Sequence, residues 1–236
     1  MIRPLLYVLL GFLLTGNVFS QDRSVDHQQV AWVKYSMTTD LSSRWGLNNY
    51  FEERFFIGPI RDHMFLGDIS TFYRTKNRLT FSGGVTFVRF TLPHDPTVED
   101  ISIKLEVRPY QTVGMTFLSN NKWKISGRTK LEQRFFKTTF QNEGFAYASM
   151  RLRNRINIYY HLTGNASILL FNDHIIHHGK EVPALFDQNR ANISLLYKLS
   201  SDLKLELGYL NWYQRRRGED VYVNRHSWKL SLFHNL

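Results

Sequence analysis

From about residue 28 to its end, the chain repeats one unit. A run of alternating apolar and polar residues leads into a turn of three or four small polar residues. A second alternating run follows, starting beside an aromatic or aliphatic side chain. The turns read Thr38-Thr39-Asp40, Thr75-Lys76-Asn77, Ser119-Asn120-Asn121-Lys122, Thr163-Gly164-Asn165 and Ser200-Ser201-Asp202. Asn, Asp and Gly tolerate left-handed backbone angles, and Ser and Thr hydroxyls bond to nearby amides, so these are five hairpin turns. The segments joining one hairpin to the next are longer and irregular: Leu92 to Asp100 with Pro93 and Pro96, Gly179 to Gln188, and Arg215 to Tyr222. Short turns at one end and long loops at the other are the signature of an antiparallel transmembrane β-barrel of the outer-membrane kind, with the short ends toward the periplasm.

The alternation separates two chemistries. Trp123, Ile125, Leu131 and Phe135 fall on one face of a strand, and Lys124, Arg128, Lys130, Glu132 and Arg134 on the other, because successive strand side chains point to opposite sides. Ile103, Leu105 and Val107 oppose Lys104, Glu106 and Arg108 in the same way. Met150, Leu152 and Ile156 oppose Arg151, Arg153 and Arg155, and Leu203, Leu205 and Leu207 oppose Lys204 and Glu206. A water-soluble sandwich would turn the charges outward and a membrane barrel would turn them inward, so alternation alone leaves both open. Length favours the barrel. The runs span about 10 to 14 residues, against roughly 5 to 6 for a strand of a globular protein and roughly 9 to 11 for a tilted transmembrane strand. Aromatic residues also flank the turns: Tyr35, Trp45, Tyr73, Phe117, Trp123, Tyr159, Tyr160 and Tyr197, as in an interfacial girdle. The last segment, with Trp228, Leu230, Leu232 and Leu236, is an amphipathic strand broken by His234. Eleven such runs are legible. Closed single-chain bacterial barrels have even strand numbers, so about 12 strands are expected, with 10 as the alternative.

The amino end fits export. Arg3 precedes an apolar stretch from Leu5 to Leu14, and Val18-Phe19-Ser20 ends in small residues, the pattern of a signal peptide over residues 1–20. That leaves 21–236 as a single outer-membrane β-barrel domain. The apolar stretch is far shorter than the roughly 20 residues a spanning helix needs. With no cysteine, disulfides and a lipid-modified amino-terminal Cys are both excluded. The formal charge of +10 would suit nucleic acid, but an exported chain does not meet it. The expected location is the cell outer membrane. The expected partners are outer-membrane lipid and lipopolysaccharide, the barrel-assembly machinery and small anionic solutes, with no nucleic acid and no cofactor.

Several phrases carry a family likeness: Phe51-Glu52-Glu53-Arg54-Phe55, Leu105-Glu106-Val107-Arg108-Pro109-Tyr110-Gln111, Leu131-Glu132-Gln133-Arg134-Phe135, Arg151-Leu152-Arg153-Asn154-Arg155, Phe186-Asp187-Gln188-Asn189-Arg190 and Leu207-Gly208-Tyr209. In this order and spacing the chain resembles the domain-of-unknown-function family 2490, predicted outer-membrane proteins of Gram-negative bacteria. The resemblance runs from about Val30 to the end. It implies a barrel-like outer-membrane protein of unestablished role and transfers no catalytic residue.

The charged face holds the functional candidates: Glu52, Arg54, Glu106, Arg108, Arg128, Lys130, Glu132, Arg134, Arg151, Arg153, Arg155 and Arg190, with Glu206 as a further acid. Guanidinium in a confined lumen must be paired or hydrated, so Glu-x-Arg on three strands reads as cross-strand ion pairs bracing the interior. Surplus cations would also line a narrow anion-preferring pore or binding cavity. A closed structural barrel whose outer loops bind a partner or a surface glycan is the alternative. Arg215-Arg216-Arg217 stands at a loop where lipopolysaccharide groups would lie. His174, His177 and His178, with Asp173 and Glu181, are the one cluster with metal-ligand spacing, although strand alternation separates His177 from His178. An outer-membrane hydrolase would need a nucleophile bonded to His. The nearest pair, His226 and Ser227, lies on opposite faces of one strand, so no enzyme is expected.

Overall fold

The structure, a computed structural model, describes residues 24–138, 144–179, 186–215 and 221–236. The expected signal peptide, Glu181, Arg216 and Arg217 lie outside the described residues. Eleven strands follow one another: β1 (Val25–Asp40), β2 (Trp45–Ile57), β3 (Ile60–Arg74), β4 (Leu79–Leu92), β5 (Ser102–Ser119), β6 (Trp123–Thr138), β7 (Gly144–His161), β8 (Ala166–His178), β9 (Phe186–Lys198), β10 (Leu203–Arg215) and β11 (Tyr222–Asn235). Each pairs with its sequence neighbours, and β1 pairs with β11 to close the barrel.

Among the described residues the strand number is eleven rather than the expected twelve, and its parity has a definite cause. β1 and β11 both run from the loop end toward the short turns, so their seam is parallel, from Val25 opposite Tyr222 to Thr38 opposite Asn235. All the other pairings are antiparallel. The even-number expectation assumes that the first and last strands meet antiparallel. A parallel seam removes that condition while leaving no free sheet edge.

The short turns share one device, in which a side chain at the turn's start accepts the amide that opens the next strand. Ser42 Oγ accepts Trp45 N at 3.0 Å, Thr75 Oγ1 accepts Leu79 N at 3.2 Å and Asn120 Oδ1 accepts Trp123 N at 2.7 Å. Thr163 Oγ1 and Ser200 Oγ accept Ala166 N and Leu203 N at 3.0 and 3.1 Å. Arg78, just before β4, takes a positive φ of 63°. The first turn lies a few residues later than its sequence suggested, because Thr38, Thr39 and Asp40 still pair with Asn48, Leu47 and Gly46. At the opposite end, β2 and β3 are joined through Gly58-Pro59 alone, much tighter than the other connections there.

The barrel is inside out relative to a water-soluble fold. Phe51, Ile69, Phe87, Ile156, Ile193, Leu207 and Trp228 face outward and are each more than half exposed. Glu106, Glu132, Asp173 and Glu206 face inward with at most 1 % exposure. Near the short turns, outward rings pair across strands: Trp45 with Tyr73 at 4.9 Å and Trp123 with Tyr160 at 4.6 Å between centroids. His234 falls on this outward face and bonds Tyr35 Oη at 2.8 Å, which satisfies a polar atom of the residue that broke the apolar pattern. No helix among the described residues is long and apolar enough to cross a membrane.

Candidate functional site

The inward faces of β5 to β9 build a connected ion-pair network. Glu106 accepts two guanidinium groups. Arg108, two residues along its own strand, donates through Nε and Nη2 at 2.7 and 2.8 Å, and Arg134 on β6 donates through the same two atoms at 2.5 and 2.9 Å. Such bidentate pairing is the strong form of the contact. Arg134 also donates to His177 Nε2 at 3.0 Å. A guanidinium only donates, so that nitrogen accepts and Nδ1 carries the proton toward Asp187 Oδ2, 3.6 Å away. Asp187 lies 3.9 Å from Arg151, whose Nε donates to Glu132 at 2.6 Å. Glu132 further holds Lys130 at 3.1 Å and Arg153 at 3.6 Å. Arg153 and Arg155 then share Asp173 Oδ2 at 2.5 and 2.7 Å.

The three Glu-x-Arg motifs thus behave differently from the uniform cross-strand bracing expected of them. Glu52 and Arg54 pair within β2, Nε to Oε1 at 2.8 Å. Glu106 and Arg108 pair within β5. In the third, Glu132 and Arg134 part company to partners on neighbouring strands. Residues i and i+2 share a strand face, close enough for a long Arg side chain to reach back along its own strand.

Other cations have no acidic partner. Arg190 donates to Gln188 Oε1 at 3.1 and 2.6 Å and forms no ion pair among the described residues. Arg128 and Lys34 form neither an ion pair nor a hydrogen bond there. Lys34 sits with its ammonium 4.0 Å from the Tyr50 ring centre.

One cavity of about 700 Å³ runs along the lumen, from Thr38, Arg74 and Thr80 near the short turns to His94, Gln188 and Gln214 near the loop end. Thirteen Lys and Arg side chains line it against three carboxylates, Glu52, Asp187 and Glu206. Aromatic rings narrow it toward the loops. Trp32 and Trp212 stand 6.3 Å apart between centroids. The Arg54 guanidinium lies 3.6 Å from the centre of the Trp32 ring, and Arg190 and Arg225 lie 4.4 and 4.6 Å from that of Trp212. The segment after β4 folds in beside them. Gln28 donates to the His94 carbonyl at 3.0 Å, Arg61 donates to the Asp95 carbonyl at 2.8 Å and to that of Val98, and the His63 ring stands edge-on to His94 at 5.1 Å.

The histidine cluster does not assemble. His177 points inward into the ion-pair network, whereas His174 and His178 are exposed on the opposite side of β8. Asp173, read beside them, is buried beneath Arg153 and Arg155. His226 faces outward, bonded to Tyr209 Oη at 2.5 Å, while Ser227 is fully buried. Arg215 closes β10. Sequence reasoning missed Lys34, Asp68, Lys229, Trp32 and Trp212. Lys229 pairs with Glu206 at 2.7 Å, and Asp68 accepts the Tyr110 and Thr86 hydroxyls at 2.8 and 2.5 Å. Strand parity was the available signal, but on β1 and β10 Trp32, Leu210 and Trp212 share the inward face with the polar residues and blur it.

The family described as protein of unknown function (DUF2490) matches residues 29–223. The chain belongs to this family. For DUF2490 that span takes in ten of the strands whole or nearly so and the whole ion-pair network. No curated protein matches the chain. Among solved structures, this DUF2490 chain is similar to the outer-membrane expressed OmpT of Vibrio cholerae, at 10% identity and a TM-score of 0.38. That similarity covers 78% of this chain and 60% of the OmpT chain, so it spans less than two thirds of that protein's length.

Proposed function

We propose that the protein is an outer-membrane β-barrel, exported by residues 1–20 and folded from 21–236, whose basic lumen admits and holds small anions. The observation that carries this reading is the cavity lining of thirteen cations against three carboxylates, because fixed positive charge in a confined, low-dielectric space concentrates anions. The outward apolar face supports the membrane setting. Bare apolar side chains on this scale are unfavourable in water, whereas a lipid-facing barrel wall requires them. Outer-membrane lipid and lipopolysaccharide would be its surroundings and the barrel-assembly machinery its route of insertion. Nucleic acid and cofactors have no part in this reading, and no catalytic constellation enters it.

Single-channel current across a salt gradient tests it, using refolded residues 21–236 shown to migrate anomalously before boiling. Discrete steps with an anion-selective reversal potential are expected, and cation-selective steps would refute the reading. A second reading draws on the loop end, where Trp32, Trp212 and the inward-folded segment at His94 crowd the lumen. In that reading the barrel is closed and its outer loops bind a partner or a surface glycan. Silence from folded, inserted protein, together with no saturable anion binding in detergent, would favour it.

A further inference from the structure

We infer that the half of the lumen nearer the short turns is a binding site for an anionic sugar, a hexose-sized ring carrying one phosphate or carboxylate. This rests on the basic-lumen reading and narrows it. Two walls present matching chemistry. On β1 and β2, Lys34, Asn48 and Tyr50 line the cavity, and on β6 and β7, Arg128, Asn157 and Tyr159 do so. Both walls line the same cavity.

Each wall keeps binding capacity that no described residue uses. Lys34 and Arg128 have no hydrogen-bond or ion-pair partner among the described residues, Lys34 resting on the Tyr50 ring, whereas Arg108, Arg134 and Arg151 are paired with Glu106 and Glu132. Asn48 accepts the Ser36 and Thr38 hydroxyls through Oδ1 at 3.4 and 3.2 Å, which leaves its amide hydrogens unused. Asn157 spends its amide on Ser126 Oγ at 3.4 Å, which leaves its carbonyl oxygen unused.

A cation on each wall, one amide donor, one amide acceptor and two phenol rings match what an acidic sugar offers. The cations take the charged group, the amides take hydroxyls as donor and acceptor, and the negative faces of the rings, for Tyr50 the one away from Lys34, meet the ring C–H edge. The whole lumen cavity is about 700 Å³, so the half nearer the short turns is at the small end of the roughly 300 to 1,000 Å³ of small-molecule sites, a size for one ring rather than a longer chain.

Calorimetric titration of the refolded barrel in a neutral detergent tests this, with glucose 6-phosphate, glucuronate, glucose and inorganic phosphate as probes. Saturable binding of at least one sugar acid is expected, about tenfold or more tighter than glucose and than phosphate. Which of the two acids binds tighter identifies the charged group. Arg128→Gln and Lys34→Met are each expected to weaken it by about tenfold, the loss of one charge-assisted hydrogen bond. Neither side chain makes a hydrogen bond or an ion pair with a described residue, and methionine keeps an apolar contact with the Tyr50 ring, so the heat-modifiable band should persist and show that the variants fold. No saturable binding of either acid would overturn the site, as would binding equal to that of phosphate, or binding indifferent to both substitutions. If anion-selective conductance remains while sugar-acid binding is absent, the site is wrong and the basic-lumen reading stands. If the reversal potential is cation-selective and binding is absent, both fall.

Discussion

Glu132→Gln should destabilise the barrel more than almost any other change of a single charge. The carboxylate is 1 % exposed and is shared by Lys130 at 3.1 Å, Arg151 at 2.6 Å and Arg153 at 3.6 Å. The amide keeps the shape and one acceptor but removes the charge, leaving Lys130 with no paired acid among the described residues and Arg151 and Arg153 with only Asp187 at 3.9 Å and Asp173 at 2.5 Å, where solvent screens poorly. Removing one partner of a buried ion pair costs about 3 to 5 kcal/mol, much of it from the stranded charge. With a urea m-value of about 3 kcal/mol/M, the unfolding midpoint should fall by roughly 1 to 1.7 M. Asp40→Asn is the control. Asp40 pairs with Arg74 at 2.9 Å, but both side chains are about half exposed, and such pairs contribute about 0 to 1 kcal/mol. Trp fluorescence of the refolded protein in neutral detergent, followed through a urea series, reads both. A further Arg151→Gln change on the Glu132→Gln background should recover part of the loss by removing a stranded cation. Equal midpoints for the Glu132 and Asp40 variants would refute the argument, since Glu132 would then sit in an aqueous lumen that screens its partners.

Leu131 faces outward on β6 opposite Leu152, so Leu131→Arg should block assembly into the outer membrane, at a cost of about 2 to 4 kcal/mol if the position lies near the bilayer midplane; cell fractionation measures this, and normal assembly would point to a soluble barrel. Trp212→Ala should raise single-channel conductance by widening the aromatic constriction at Trp32 and Arg54, and an unchanged conductance would place the narrowest point elsewhere. Gly208→Ala would put a Cβ against Ser194 Oγ, 2.8 Å from Ser194 Cβ and 2.9 Å from the Ile193 carbonyl, so a loss of about 1 to 3 kcal/mol is expected from overpacking. Ser194→Ala added to it should restore only part, because the contacts with the residue 194 Cβ and the Ile193 carbonyl remain; full restoration in a urea series would show that the hydroxyl alone causes the clash.

Much of this architecture was legible because a strand has a strict period of two. On β5, β6, β7 and β10 the apolar set read from sequence is the outward set, and a shift of one residue would have reversed every side chain. The turns were legible because their Ser, Thr and Asn side chains bond the next strand's amide. The first was placed early since Thr38 and Thr39, β-branched, extend β1 instead of bending it. The closure was not legible. Nothing in the alternation of β1 or β11 says whether they meet parallel or antiparallel, and the even-number rule pointed away from eleven. The site was legible on strands whose inward face is uniformly charged, such as β6 and β7. It was obscured on β1, where Val30 and Trp32 share the inward face with Lys34. The partner each carboxylate takes depends on inter-strand register and on how far an Arg reaches back along its own strand, which is why Glu52 with Arg54 and Glu106 with Arg108 were not foreseen to pair within one strand.

The sign of the cavity follows from side-chain length as well as from count. Glu and Asp are short, so a carboxylate on an inward strand face stays close to the wall, while Arg on the same or the next strand is long enough to reach over it. Glu106 and Glu132 are each about 1 % exposed, and the cations that bind them stand between them and the open space. A barrel with equal numbers of inward acids and bases would therefore already present guanidinium to whatever enters. Here the numbers are also unequal. Seven carboxylates are buried among the described residues, Glu52, Asp68, Glu106, Glu132, Asp173, Asp187 and Glu206, against thirteen Lys and Arg side chains lining the cavity. Even if every buried acid cancels one cation in full, about half of the lining charge remains. That remainder includes the cations left without acidic partners, Lys34, Arg128 and Arg190. Bracing and anion capture are thus two consequences of one arrangement, in which the saturated arginines hold the wall and the unsaturated ones face the solute.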